Sequence, residues 1–102
     1  MVLQFTSDYP SQAPTVTFTP PIFHPNVFQS GKVCLSILSH GWTPGISVRQ
    51  ILVGVQDLLD TPNENDPANG PANALYRSNK AGYKQRVRAE ALKHKPLEVD
   101  LF

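Results

Sequence analysis

The chain is short of several things, and each shortage removes a class of protein. It holds a single cysteine, so no disulfide can form within it. No apolar run approaches the roughly 20 residues of a membrane-spanning helix, and no basic start leads into an apolar leader. Charged residues make up 17% of the 102, with a formal net charge of +1, so nothing in the balance demands nucleic acid or an anionic membrane as partner. No internal repeat or low-complexity tract is present. The expectation is one small soluble domain of the cytosol or nucleus, burying roughly 60 to 65% of its unfolded surface.

Proline, by contrast, is plentiful. Of the ten prolines, eight cluster before residue 26 and between residues 62 and 71, and there the chain is expected to be loop or extended. Val2 to Phe5 reads as a short apolar strand ended by the turn residues Ser7-Asp8-Tyr9-Pro10. Thr15 to Thr19 alternates Val16 and Phe18 against threonines, the period of a strand with one buried face. Two such strands are marginal alone and need a helix across them. That helix begins at Ser47, which can form a capping box with Gln50, and runs to about Asp60 before Pro62. Val48, Ile51, Leu52, Val55, Leu58 and Leu59 fall on one of its faces and are expected to be core. Thr61 to Asn73 reads as a loop, and Ala72 to Ser78 and Ala81 to about Lys93 as two further helices, the second carrying Tyr83 and Val87 inward. The basic run of Lys80, Lys84, Arg86, Arg88, Lys93 and Lys95 reads as a solvated helix face, because aromatic residues are not interleaved with it. The fold class is therefore α+β, a short antiparallel sheet packed on a central helix. Residues 1–95 form the domain and residues 96–102 a tail, apolar at Leu97, Val99, Leu101 and Phe102.

Chemistry concentrates between Phe23 and Leu38. Asn26, behind His24 and Pro25, stands eight residues before Cys34, and Ser30-Gly31 reads as a turn that brings the two together. A thiol facing a fixed amide donor suits acyl transfer. The thiolate is the nucleophile and the Asn26 N–H lies where negative charge develops, a donor worth about a hundredfold to a thousandfold in rate. The same context also suits a small buried hydrophobe, with His24 and Asn26 as ordinary turn residues. A cysteine hydrolase pairing Cys34 with His24 or His40 is a third possibility.

His24-Pro25-Asn26, Ser30-Gly31, Val33-Cys34-Leu35-Ser36-Ile37-Leu38 and Trp42-Thr43-Pro44 together resemble the catalytic segment of the ubiquitin-like-protein conjugating enzymes. Tyr9-Pro10, Pro14 and Pro20-Pro21 upstream, and Gln50-Ile51-Leu52, Leu58-Leu59, Pro62-Asn63 and Asp66-Pro67-Ala68 downstream, extend the likeness from about Val2 to His94. The resemblance implies a partial ubiquitin-conjugating-enzyme fold and a carrier transferase. Cys34 would take a modifier protein as a thioester from an activating enzyme and pass it to substrate lysines. It also implies that the chain binds no cofactor or metal, ATP being used by the activating enzyme. Asn26 would stabilise the oxyanion, Asp66 would orient the incoming amine, and His24 and Pro25 would brace the turn.

Ser36, the stretch Gln50 to Gln56, Asp66-Pro67-Ala68 and Arg86-Val87-Arg88-Ala89 make the likeness nearest to the SUMO-conjugating branch. This implies SUMO, its activating enzyme, its ligases and lysine-bearing substrates as partners, in nucleus and cytoplasm. Phe28, Ser30, Asp66, Pro67 and Ala68 would then line the site that reads the substrate motif. Members of the family carry a helix and two strands ahead of the strand at Val2 to Phe5, which here would leave one sheet edge unpaired. A loading-defective binding module and a ubiquitin carrier stand as the alternatives.

Overall fold

The computed structural model describes residues 1–93. The elements are strands β1 (Val2–Gln4) and β2 (Thr15–Thr17), a 3₁₀ turn at Ser36–Leu38, and helices α1 (Val48–Asp60), α2 (Gly70–Ser78) and α3 (Lys80–Lys93). The expected α+β class is what the fold has. β1 and β2 pair antiparallel with Leu3 opposite Val16, and single bridges join Thr17 to Lys32 and Val27 to Val33. The sheet proper thus has two strands, and the hairpin that carries Cys34 is hung from its β2 edge. Phe18 N–H donates to the Gly31 carbonyl and Val33 N–H to the Val16 carbonyl, both at 2.8 Å.

The start of α1 is set locally. Ser47 accepts from Gln50 N–H at 3.1 Å and its own N–H donates to the Gln50 side-chain oxygen at 2.7 Å, the reciprocal capping box expected from these residues. Ile51, Val55 and Leu58 of α1 are buried on Val16, Val27 and Val33, which forms the core. The other half of the expected apolar face is not core. Val48, Leu52 and Leu59 are about 40% exposed. A two-stranded sheet with a narrow hairpin offers α1 a strip one side chain wide, so only the row at 51, 55 and 58 is covered. Gly54 lets the helix sit close to the 3₁₀ turn, since a Cβ there would stand 3.2 Å from the Ile37 side chain.

Several boundaries differ from the sequence reading: β1 ends at Gln4 and not Phe5, and α3 starts at Lys80 and not Ala81. β2 ends at Thr17 and not Thr19. α2 starts at Gly70, two residues before the expected Ala72, because Asn69 caps it by accepting from Ala72 N–H at 3.2 Å. Pro71 therefore stands in a helix, at the first turn, where its missing N–H would have had no intrahelical partner. α3 keeps the expected inward positions, Tyr83 buried and Val87 half-buried, with Tyr83 edge-on to Tyr76 of α2 at 5.1 Å. Lys80, Lys84, Arg86 and Arg88 are exposed, as a solvated face requires. His94, Lys95 and the expected tail at 96–102 lie outside the described residues.

Candidate active site

His24, Pro25 and Asn26 are all buried, and each ties the Cys34 hairpin to a different part of the chain. The His24 Nε2 lies 2.9 Å from the Leu58 carbonyl at the end of α1, and its Nδ1 accepts the Asn26 backbone N–H at 3.0 Å. Those two partners fix the neutral tautomer protonated on Nε2. Burial lowers the His24 pKa below its ordinary value and the Leu58 carbonyl opposes this more weakly, so the ring is uncharged at neutral pH. The Pro25 carbonyl accepts two N–H groups, from Ala68 at 2.7 Å and Asn69 at 3.0 Å, and so anchors the entry to α2.

Asn26 has its whole amide engaged. Its Nδ2 donates to the Asn63 carbonyl at 2.8 Å and the Asp66 carbonyl at 3.1 Å, while its Oδ1 accepts Asn63 N–H at 2.8 Å. The sequence reading expects this N–H to face the thiol. In this conformation both amide protons instead hold the loop that carries Asp66. The backbone of Asn26 does meet Cys34 as the turn at Ser30-Gly31 suggests, the Cys34 N–H donating to the Asn26 carbonyl at 2.8 Å. That turn closes through Gly31 N–H to the Phe28 carbonyl at 2.8 Å and Phe28 N–H to the Lys32 carbonyl at 2.9 Å. Gly31 has a φ of 96°, and a Cβ on it would fall 2.1 Å from the Phe18 carbonyl oxygen, so only glycine fits.

Cys34 is neither a core hydrophobe nor free in solvent; it is half-buried. Desolvation raises its pKa first, the Asp66 carboxylate adds to that, and the Lys32 ammonium pulls the other way. The resting group is a thiol with both charges in its field. Asp66 and Lys32 are exposed. His24 cannot serve Cys34 as a base, because both its nitrogens are engaged. His40 is placed beside Ser39 Oγ at 3.4 Å.

The residues expected to read a substrate motif fall into two segments. Phe28 and Ser30 are exposed in the hairpin turn, and Asp66 and Pro67, also exposed, lead into half-buried Ala68. Asn26 and Pro25 lash that second segment to the hairpin, so the two share one frame. The sequence pattern of the ubiquitin-conjugating enzyme family matches residues 1–91. The chain belongs to that family. It is 50% identical over 92 residues to the SUMO-conjugating enzyme UBC9 of Caenorhabditis elegans, an alignment covering 88% of this chain and 55% of that protein. It is 48% identical over 99 residues to the SUMO-conjugating enzyme SCE1 of Arabidopsis thaliana, covering 95% of this chain and 62% of the relative. The chain thus spans a little over half the length of these curated relatives.

Sequence reasoning passed over three residues of this family site. Asn63 is joined to Asn26 at both its N–H and its C=O, Asn69 caps α2, and Asn73 is buried with its Nδ2 3.5 Å from the Glu64 carbonyl. The asparagine after Pro62 reads as loop, and nothing in its side chain announces a backbone role. Asn73 Oδ1 has no hydrogen-bond partner among the described residues.

Proposed function

We propose that Cys34 carries SUMO as a thioester and delivers it to lysine side chains. The carrying observation is the half-buried thiol on a hairpin locked to the Asp66 loop, with both ring nitrogens of neighbouring His24 engaged elsewhere. A carrier has to keep an acyl group from water until the amine arrives, and a general base beside the sulfur would activate water instead. SUMO as the modifier is supported by the two relatives named SUMO-conjugating enzyme.

In loading, Cys34 gives its thiol proton to solvent and the sulfur attacks the carbonyl carbon of the activating enzyme's SUMO thioester; the C–S bond to that enzyme breaks and its thiolate leaves. In transfer, the neutral lysine amine attacks the Cys34 thioester carbonyl, the C–S bond breaks, and Cys34 leaves as thiolate. The amine proton goes to solvent or to the Asp66 carboxylate. Asp66 also draws the lysine into line, and placement of this kind is worth about a hundredfold per ångström. Asn26 acts chiefly by fixing that loop. Stabilising the oxyanion with its side chain would require its longer bond, to Asp66, to open. Phe28, Ser30, Pro67 and Ala68 flank the lysine. ATP is consumed by the activating enzyme, the chain itself holding no cofactor, and SUMO ligases bring substrates to the site in nucleus and cytoplasm.

The test mixes the chain with activating enzyme, ATP and either SUMO or ubiquitin, and reads non-reducing gels. A reductant-sensitive SUMO adduct, missing with Cys34→Ser and with ubiquitin, is expected. Binding to substrates or ligases by folded protein that forms no adduct would replace the carrier by a docking module.

A further inference from the structure

The loop from Asn63 to Asp66 is held in place by side chains rather than by a sheet or helix. Asn26 grips it at three points, accepting from Asn63 N–H at 2.8 Å and donating to the Asn63 and Asp66 carbonyls at 2.8 and 3.1 Å. The Glu64 carbonyl is left to a second amide, the Nδ2 of Asn73 on α2, at a long 3.5 Å. Asn65 N–H turns back to the Asn63 side chain and ties the loop only to itself. Among the described residues, Asn26 and Asn73 are thus the side chains outside the loop that bond to it.

Asn73 is set firmly on its helix. Its backbone N–H donates to the Asn69 carbonyl at 3.0 Å, so α2 fixes where the amide stands. The residue is 8% exposed, and its Oδ1 is buried with no partner among the described residues. An orphaned buried acceptor costs about 1 to 3 kcal/mol, a cost that a leucine of similar shape would avoid. Packing is therefore poorly served by an asparagine here, and the amide's donor to Glu64 is what it supplies.

The two grips differ in kind. Asn26 is tight at both ends of the loop, but its bond to Asp66 is the one that has to open for its amide to reach an oxyanion. The Asn73 grip does not pass through Asn26 and survives that opening. Its long bond and spare Oδ1 suit a hold that yields as the loop adjusts. We propose that Asn73 is a positioning residue for Asp66: through the Glu64 carbonyl it keeps the loop, and the Asp66 carboxylate with it, beside Cys34 while Asn26 releases the Asp66 carbonyl. Its effect on lysine transfer rests on the carrier reading, whereas its effect on the Cys34 and Asp66 pair does not.

The first readout needs no modifier, because the Asp66 carboxylate already opposes the Cys34 thiolate. Alkylation by iodoacetamide at neutral pH is followed in the parent chain, Asn73→Leu, Asp66→Asn and the double variant. Asn73→Leu should speed alkylation about twofold, in the direction of Asp66→Asn, and add nothing once Asp66 is replaced. Urea denaturation should place Asn73→Leu at or above the parent, and Asn73→Ala repeats the series if leucine does not fit. The second readout discharges a preformed Cys34 thioester of SUMO to free lysine and to a small thiol. Asn73→Leu should lower the saturated lysine rate about tenfold, with the half-saturating lysine concentration and the thiol rate within about twofold of the parent. Unchanged alkylation in a folded variant, or the same gain with Asp66 already removed, would overturn the proposal. So would a lysine rate that falls only in step with the thiol rate, the mark of a site loosened throughout. If the parent chain forms no thioester, the carrier reading fails and the alkylation series alone decides the role of Asn73.

Discussion

Replacing Asn26 by alanine removes three hydrogen bonds from a buried position, two donated to the Asn63 and Asp66 carbonyls and one accepted from Asn63 N–H. At a net value of about 1 kcal/mol each, the loss is about 3 kcal/mol. A domain of this size has a total of about 5 to 15 kcal/mol. The corresponding fall in Tm is roughly 12 to 24 °C. Asn26→Asp should be worse than Asn26→Ala at neutral pH, although it keeps the shape, because a carboxylate would face two carbonyl oxygens with no proton to give. Acidification should bring the aspartate variant back toward the alanine one, as its protonated form can donate to one carbonyl. Urea denaturation followed by Trp42 fluorescence gives the free energies, and amide exchange at Asn63 reports the latch itself. The reasoning is refuted if Asn26→Ala costs under about 0.5 kcal/mol with Asn63 exchange unchanged, or if the aspartate variant proves the milder of the two at pH 7.

Three further outcomes follow from the site. His24 has its pKa lowered by folding, so the unfolded chain binds the proton more readily. Its contribution is therefore full above pH 6.5, the unfolded value, and is lost as pH falls below it, at up to about 1.4 kcal/mol per pH unit; denaturation of His24→Gln should lack this component. Alkylation of Cys34 by iodoacetamide at neutral pH should be slower than for a free thiol, faster in Asp66→Asn and slower still in Lys32→Ala, since the first removes a charge opposing the thiolate and the second one favouring it. Gly31→Ala should cost about 3 kcal/mol or more in urea titrations, because both the φ of 96° and the 2.1 Å approach of a Cβ to the Phe18 oxygen force the hairpin off β2.

Features written in one stretch of side chains were legible in the sequence. Ser47 and Gln50 announce the cap of α1, the alternation at Thr15–Thr17 announces a strand with Val16 inward, and Ser30-Gly31 announces the turn that returns the backbone to Asn26. Features that depend on the width of a partner surface were not. Val48, Leu52 and Leu59 have the same periodicity as Ile51 and Leu58, and only the breadth of the sheet decides which are covered. Contacts made by backbone groups were hidden as well. The Asn26 amide could be foreseen as a polar group in a fixed place, but its engagement depends on the Asn63 and Asp66 carbonyls, some 40 residues away, which any residue type could supply. The carbonyl that His24 Nε2 meets, that of Leu58, belongs to a residue whose side chain speaks only of the core.

The central claim is that Cys34 holds an acyl group without hydrolysing it. The most direct measurement offers the chain a chemically prepared small-thiol thioester of SUMO, with no activating enzyme, and weighs the acid-quenched products by intact mass spectrometry. A single adduct of chain plus modifier is predicted. It should be confined to Cys34, released by added thiol or free lysine, and slower to discharge to lysine in Asp66→Ala. Free modifier accumulating over many turnovers without an adduct would mark a hydrolase, and no reaction from folded chain would mark an inert thiol; either result would contradict the account.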